Sequence, residues 1–263
     1  MTALNIQNAE AISAPSVRTG KVYPPKVDGL RGLFFLGGSI NESIANRSPW
    51  QGAQPNAIAV GAPAVNASYL TLKNMTNYLQ TQIAEVEEMT LIAWHTAEYL
   101  NFNAISNTWT TRQGGTGNSY GVSLAVGGGS SPATGKQNRA IAGYKTTEEQ
   151  TAAGSSLTTS HTAVINGGGA GSYMTHAARF TATEVCHDIL TNASGKSTAL
   201  FGSNIRDKAS GLLRIGSSSV GGADDAFNMC GAIIAEGFWS DEDLSDCYAW
   251  LSALELDVRG ISV

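Results

Sequence analysis

Short apolar runs alternate with glycine and polar clusters along most of the chain. From Asp28 the pattern begins with Leu30, Leu33, Phe34, Phe35 and Leu36, which predict a buried strand stopped at Gly37-Gly38. A polar loop through Asn46, Trp50 and Pro55 leads to apolar segments at 57–60 and 69–72. Residues 90–97 mix β-branched and aromatic side chains without Gly or Pro, which predicts a central strand. Residues 120–126 alternate Tyr, Val, Leu and Val with small residues, and a glycine triplet at 127–129 closes them. Further strands are expected at 139–144, 161–165, 172–180, 197–203, 212–216 and 228–236. Glycine-rich joints separate them at hairpin spacing.

One helix is signalled. Ser240 followed by Asp241, Glu242 and Asp243 resembles a capping box, with acidic groups at the positive helix end. Leu244, Cys247, Tyr248, Leu251 and Leu254 then form one apolar stripe. A helix after the last long strand is expected to pack across the edge or end of a sandwich. A second helical or turn segment is expected over 74–88, where Met75, Leu79 and Ile83 recur every four residues. Residues 1–27, with Pro24-Pro25 and no sustained alternation, read as an extended N-terminal arm. Residues 28–263 read as one domain.

Composition strengthens the all-β reading. Only 14% of residues are charged, glycine alone supplies 30, and Ser, Thr and Asn are abundant throughout, a mixture suited to short strands and tight turns. The net charge of −5 and the scattered basic residues argue against a nucleic-acid partner. No apolar run is long enough for a membrane-spanning helix, so membrane insertion is not expected. Residues 1–16 lack the basic head and apolar stretch of a secretory signal. Cys186, Cys230 and Cys247 are too few for a disulfide framework and read as small buried hydrophobes.

The C-terminal third resembles the closing segment of laminin-G-like, concanavalin A-like jelly-roll domains. Leu213-Arg214-Ile215-Gly216 is followed by the Gly221-Gly222 loop, the buried Ala232-Ile233-Ile234-Ala235 and then Phe238-Trp239-Ser240-Asp241. Tyr248-Ala249-Trp250-Leu251 lies in the helix, and Met89-Thr90-Leu91-Ile92-Ala93-Trp94 is compatible with the strand these domains carry after their first hairpin. The resemblance, over roughly 28–260, implies a concanavalin A-like jelly-roll β-sandwich with one short C-terminal helix. Such domains serve as lectins, adhesive modules, glycanases and tail- or capsid-attached bacteriophage proteins. The texture of this chain looks most like the last group. It implies a non-enzymatic virion protein, made in the host cytoplasm and acting outside it. Its partners would be other virion proteins through the arm and a surface glycan, and it would assemble as a homo-oligomer such as a trimer. The alternatives are a free carbohydrate-binding lectin and a glycan hydrolase.

Candidate chemistry is sparse. Glycanases of this fold carry alternate carboxylates on one strand, about 5–5.5 Å apart in retaining enzymes. Glu85 and Glu87 have that spacing, but the flanks read as a solvated charged turn. Glu236 and Asp241 fall at a structural corner. No Gly-x-Ser-x-Gly elbow accompanies the four histidines, and the His187-Asp188 neighbours would face opposite sides of a strand. No catalytic residue is assigned. No cofactor is required, although calcium is the usual ion of such relatives, and Asp224, Asp225 and Asn228 form the one nucleus that could hold it. The most ligand-like stretch is 101–120, where Trp109, Arg112, Asn118 and Tyr120 lie among glycines. An aromatic face flanked by polar donors and acceptors suits a sugar ring; the same residues could instead pack under the loop or in a subunit contact.

Overall fold

A computed structural model describes residues 23–96, 100–127, 136–148, 150, 154–163, 173–191, 195–222, 225–260 and 263. The chain opens with β1 (Leu30–Phe35), a short helix α1 (Ile40–Ile44), β2 (Ile58–Val60), β3 (Ala64–Val65) and β4 (Leu70–Lys73). Next come β5 (Tyr78–Ala84), β6 (Met89–Thr96), β7 (Phe102–Ser106), β8 (Thr110–Thr111), β9 (Asn118–Ser119) and β10 (Val122–Gly127). β11 (Lys136–Lys145), β12 (Ser155–Ala163), β13 (Tyr173–Phe180), β14 (Glu184–Ile189) and β15 (Gly195–Leu200) follow. The chain closes with β16 (Ile205–Arg206), β17 (Leu212–Ile215), β18 (Ala226–Glu236) and helix α2 (Asp241–Arg259).

The strands form two antiparallel sheets packed face to face, the jelly-roll-like sandwich that the sequence predicts. One runs β15-β14-β13-β6-β18-β4-β3 with β1 beside β18. The other runs β12-β11-β10-β7-β17-β5-β2 with β16 on β11. Residues of alternate parity meet between them: Leu91 and Ala93 of β6, Ala178 and Phe180 of β13, and Leu124 and Val126 of β10 are all buried in this core. Phe102 and Phe227 stack across it with centroids 3.7 Å apart.

β6 and β18 bury both faces, which is why their sequences read as near-continuous apolar runs. Ile92 and Trp94 point away from the sandwich, into a second core with Ile233, Ala235 and the helix residues Leu244, Cys247, Trp250, Leu251 and Leu254. The helix therefore lies on the outer face of a sheet, not across an edge or end. Its missing cue is this second apolar face of β6, which demands a cover. Ser240 and Asp243 complete the capping box, Gly260 ends the helix at φ 67°, and Trp94 Nε1 donates to Glu255 Oε1 at 3.0 Å. Gly231 makes room for this layer, since a Cβ there would run into the Trp94 indole and the Phe34 carbonyl. Gly231→Ala is expected to cost about 1–3 kcal/mol through overpacking, read as a lower urea midpoint with an unchanged m-value.

The helical expectation for 74–88 is not met, because this segment contains β5. Leu79, Thr81 and Ile83 are buried while Tyr78, Gln80 and Gln82 are less so. A four-residue spacing is common to periods 2 and 3.6, and the intervening Thr81 decides for the strand. β7 and β14 form where the sequence pattern predicts no strand. Of the proposed arm, residues 1–22 lie outside the described residues. Residues 23–27 rest on the domain: Pro24 is buried, Tyr23 packs beside the helix layer, and Lys26 Nζ bonds Asp243 Oδ2 at 2.7 Å. The three cysteines are buried free thiols.

Candidate functional site: the Trp109–Tyr120 hairpin

β8 and β9 pair as a small hairpin that leaves the end of β7 and returns into β10. Trp109 N–H donates to Ser119 O at 3.0 Å and Arg112 N–H to Gly117 O at 3.0 Å, so the backbone closes on itself. Gly117, at φ 83°, allows the tight return. The tip, residues 114–117, is exposed. Trp109 and Tyr120 flank the hairpin stem and meet edge to face, with centroids 4.9 Å apart, and both remain partly exposed. Trp109 sits at φ 66°. A left-handed backbone is costly for a bulky residue and persists only where surrounding contacts impose it.

Those contacts lie beneath the hairpin. Arg112 is 6% exposed and grips Asp207 with two hydrogen bonds, Nε to Oδ1 at 2.6 Å and Nη2 to Oδ2 at 2.9 Å. Its Nη1 donates to Thr116 O at 3.3 Å and also to Gln150 O. The guanidinium fork thus ties the hairpin turn to the sheet end, as a bidentate pair does. Arg112 consequently points inward and positions the hairpin, while Trp109, Asn118 and Tyr120 remain partly exposed. Asn107, fully buried, carries the stem: its Oδ1 accepts from Val122 N at 2.8 Å, and its Nδ2 donates to Glu85 Oε2 at 3.0 Å and to Gly211 O at 3.1 Å. The sequence offers no cue for Asp207, which lies 95 residues from the Arg112 it holds, and none for Asn107 beyond its nearness to Trp109.

Glu85 does not belong to a solvated turn. It is 2% exposed, pairs with Arg206 Nη2 at 3.0 Å and accepts from Ala209 N at 3.0 Å. Burial pushes its carboxyl above the ordinary range, against the pull of Arg206, Asn107 and the Ala209 amide. Glu87 is exposed and pairs with Lys208. The chain leaves the sheet after Ala84, so period-two spacing does not place the two carboxylates on one groove.

The calcium candidates that the structure describes each hold a hydrogen-bond partner. Asp224 lies outside the described residues. Asp225 Oδ2 accepts from Asn101 N at 2.6 Å, and Asn228 Oδ1 accepts from Thr71 Oγ1 at 2.8 Å on the neighbouring strand. Among the described residues no group of three His, Cys, Asp or Glu side chains is placed to hold a metal ion.

His187 and Asp188 do face opposite sides of β14. Asp188 bonds Arg179 on the outer face, while His187 joins a row of rings inside the sandwich. In that row His95 Nε2 is 3.3 Å from His176 Nε2, and His176 Nδ1 is 3.3 Å from His187 Nε2. All three are buried, and only strand register brings them together.

No family model matches the chain, and no curated protein matches it. Solved structures do. The binding domain of botulinum neurotoxin serotype D aligns with 85% of this chain and 51% of its own at 10% identity, with a TM-score of 0.53. The binding domain of botulinum neurotoxin DC, solved in complex with rat synaptotagmin II, aligns with 86% of this chain and 52% of its own at 11% identity, also at 0.53. The serotype C1 binding domain aligns with 85% and 52% at 11% identity and a TM-score of 0.51. The chain spans about half the length of the solved chains it matches. At such low identity the likeness is one of fold: a β-sandwich shared with toxin binding domains.

Proposed function

We propose that this chain is a non-enzymatic binding module that recognises a surface glycan through Trp109, Asn118 and Tyr120. The observation that carries the reading is Trp109, a large aromatic held at φ 66° on a hairpin braced from below by Arg112–Asp207. Strain kept at a partly exposed aromatic fits a role at the surface better than a role in packing. A sugar ring offers an apolar face for the indole and hydroxyls for Asn118 and the Tyr120 phenol. The sandwich likeness to toxin binding domains, one of them in complex with rat synaptotagmin II, supports recognition over turnover.

The test is a glycan array with the intact protein and Trp109→Gly. Glycine adopts the left-handed backbone freely, so relief of strain offsets the lost ring contact and the unfolding free energy should stay within about 1 kcal/mol. Glycan affinity should fall at least about tenfold, the equivalent of about 1.4 kcal/mol. Unchanged affinity with unchanged stability would remove the hairpin from the site.

The carrier we propose is a bacteriophage particle, on which the chain is a tail- or capsid-associated homo-oligomer and residues 1–27 meet neighbouring virion proteins. Support is compositional: few charges and abundant Gly, Ser, Thr and Asn. Imaging of a native particle decides it. A repeated density matching the sandwich supports this carrier; a free monomer leaves the lectin reading in its place.

A further inference from the structure

A cleft of about 560 Å³ opens where the first half of α2 overhangs β14 and β15. One side is polar, with Asp188, Lys196 and Asp241; Leu190, Leu244 and Tyr248 supply the apolar side. We infer that this cleft is a second binding site, for a neutral saccharide, separate from the hairpin and not dependent on it.

The polar wall is built from a buried centre outward. Arg179, 1% exposed, holds Asp188 with two hydrogen bonds, Nε to Oδ2 at 3.1 Å and Nη2 to Oδ1 at 2.9 Å. The same Nη2 reaches Asp241 Oδ1 at 2.8 Å, and Lys196 Nζ meets both Asp241 oxygens at 2.9 Å. Arg179 is fixed further by its Nη1 bond to Trp239 O at 2.8 Å and by Phe238, whose ring lies 4.7 Å from the guanidinium. The order Asp188, Arg179, Asp241, Lys196 alternates in sign, two acids against two bases, and sums to zero. A phosphate or carboxylate would meet Asp188 and Asp241, and an ammonium group would meet Lys196. Hydroxyls both donate and accept, so neighbouring hydroxyls match an alternating wall where a single-sign ligand cannot. The apolar side receives the C–H face of the ring, and the volume falls within the range of small-molecule sites. Burial also raises the Asp188 carboxyl, a mark of desolvated groups at binding sites.

Saturation-transfer NMR with the full chain tests this, using lactose, maltose and N,N′-diacetylchitobiose as probes. Ser245 and Lys196 are exposed positions at the rim, so their replacement leaves the Arg179 core in place. At least one probe should give transfer with the unmodified protein and with Trp109→Gly. In the Trp109→Gly background, where the hairpin no longer contributes, that signal should vanish on adding Ser245→Trp, which fills the cleft, and its Kd should rise about tenfold on adding Lys196→Met. Three results in that background overturn the assignment: no transfer from any probe, transfer that survives Ser245→Trp, or tighter binding of 3′-sialyllactose than of lactose. Loss of transfer in Trp109→Gly alone also overturns it, while leaving the hairpin reading intact.

Discussion

Arg206→Met is expected to destabilise the protein by about 3–5 kcal/mol, because it strands Glu85 as an unpaired carboxylate in the interior. The pair is deeply buried, with side-chain exposures of 1% for Arg206 and 0% for Glu85. Arg206 also donates to Val86 O at 3.2 Å, to Thr181 O at 3.3 Å and to Glu87 O, so three carbonyls lose a donor with it. Equilibrium urea unfolding at pH 7 measures the loss. The double variant Glu85→Leu/Arg206→Met removes both charges and should recover part of it, since a buried ion pair is often replaceable by apolar groups of similar size. It will not recover all, because Asn107 Nδ2 and Ala209 N–H also lose their acceptor. A single-site cost below about 1 kcal/mol would mean that Glu85 is solvated. The effect reaches the Trp109–Tyr120 hairpin, for Asn107 joins Glu85 to its stem and Asp207, next to Arg206, anchors Arg112.

The pattern of side chains made the sandwich legible wherever one face of a strand met the core or both faces were covered. The strands around Leu33, Leu91, Ala177 and Ile233 could be placed because β-branched, aromatic and small apolar residues run between glycine joints. Where polar residues sit inside, the reading fails. β14 carries Cys186, His187 and Asp188, all buried, and nothing local says that His187 would find His176 or that Asp188 would find Arg179. Glu85 is the same case: its partner lies 121 residues away, so its spacing from Glu87 suggests exposure while its contacts impose burial. Trp109 and Tyr120, the aromatics of the glycine-rich stretch, do come together. Whether an arginine beside them faces out or in depends on Asp207, which the local sequence does not contain. The cleft under α2 was invisible for a related reason, as its wall assembles from β13, β14, β15 and the helix start.

His95→Met is expected to gain about 3 kcal/mol relative to the unmodified protein between pH 7 and pH 4. Burial of the row favours neutral rings at His95 and His176. His95 Nδ1 donates to Thr96 O at 2.8 Å, leaving Nε2 to accept from His176 Nε2, whose Nδ1 in turn accepts from His187 Nε2. Adding a proton at any acceptor sets two N–H groups against each other inside the core. Burial accordingly holds the His95 imidazole down to about 4, and holds His176 well below its usual value with help from the neighbouring rings. The unfolded chain therefore binds protons that the folded one refuses. The stability these rings allow is present above about pH 6.5 and is withdrawn as pH falls toward 4. Glu255 runs the other way: burial raises it to about 7, so its contribution is present at acid pH and lost as pH rises through 7. Glu255→Gln should thus gain about 2.5 kcal/mol on the unmodified protein between pH 5 and pH 8, opposite in direction to His95→Met. Paired urea titrations at each pH separate the two, because each variant is compared with the same parent and common carboxylate terms cancel. Two variants that track the parent in parallel across the range would show that neither group titrates in the folded state as its burial demands. If both shifts are found, the two opposite slopes offset one another in the parent, one arising in the sandwich interior, where His95 lies, and the other in the helix layer, where Glu255 receives the Trp94 indole hydrogen bond.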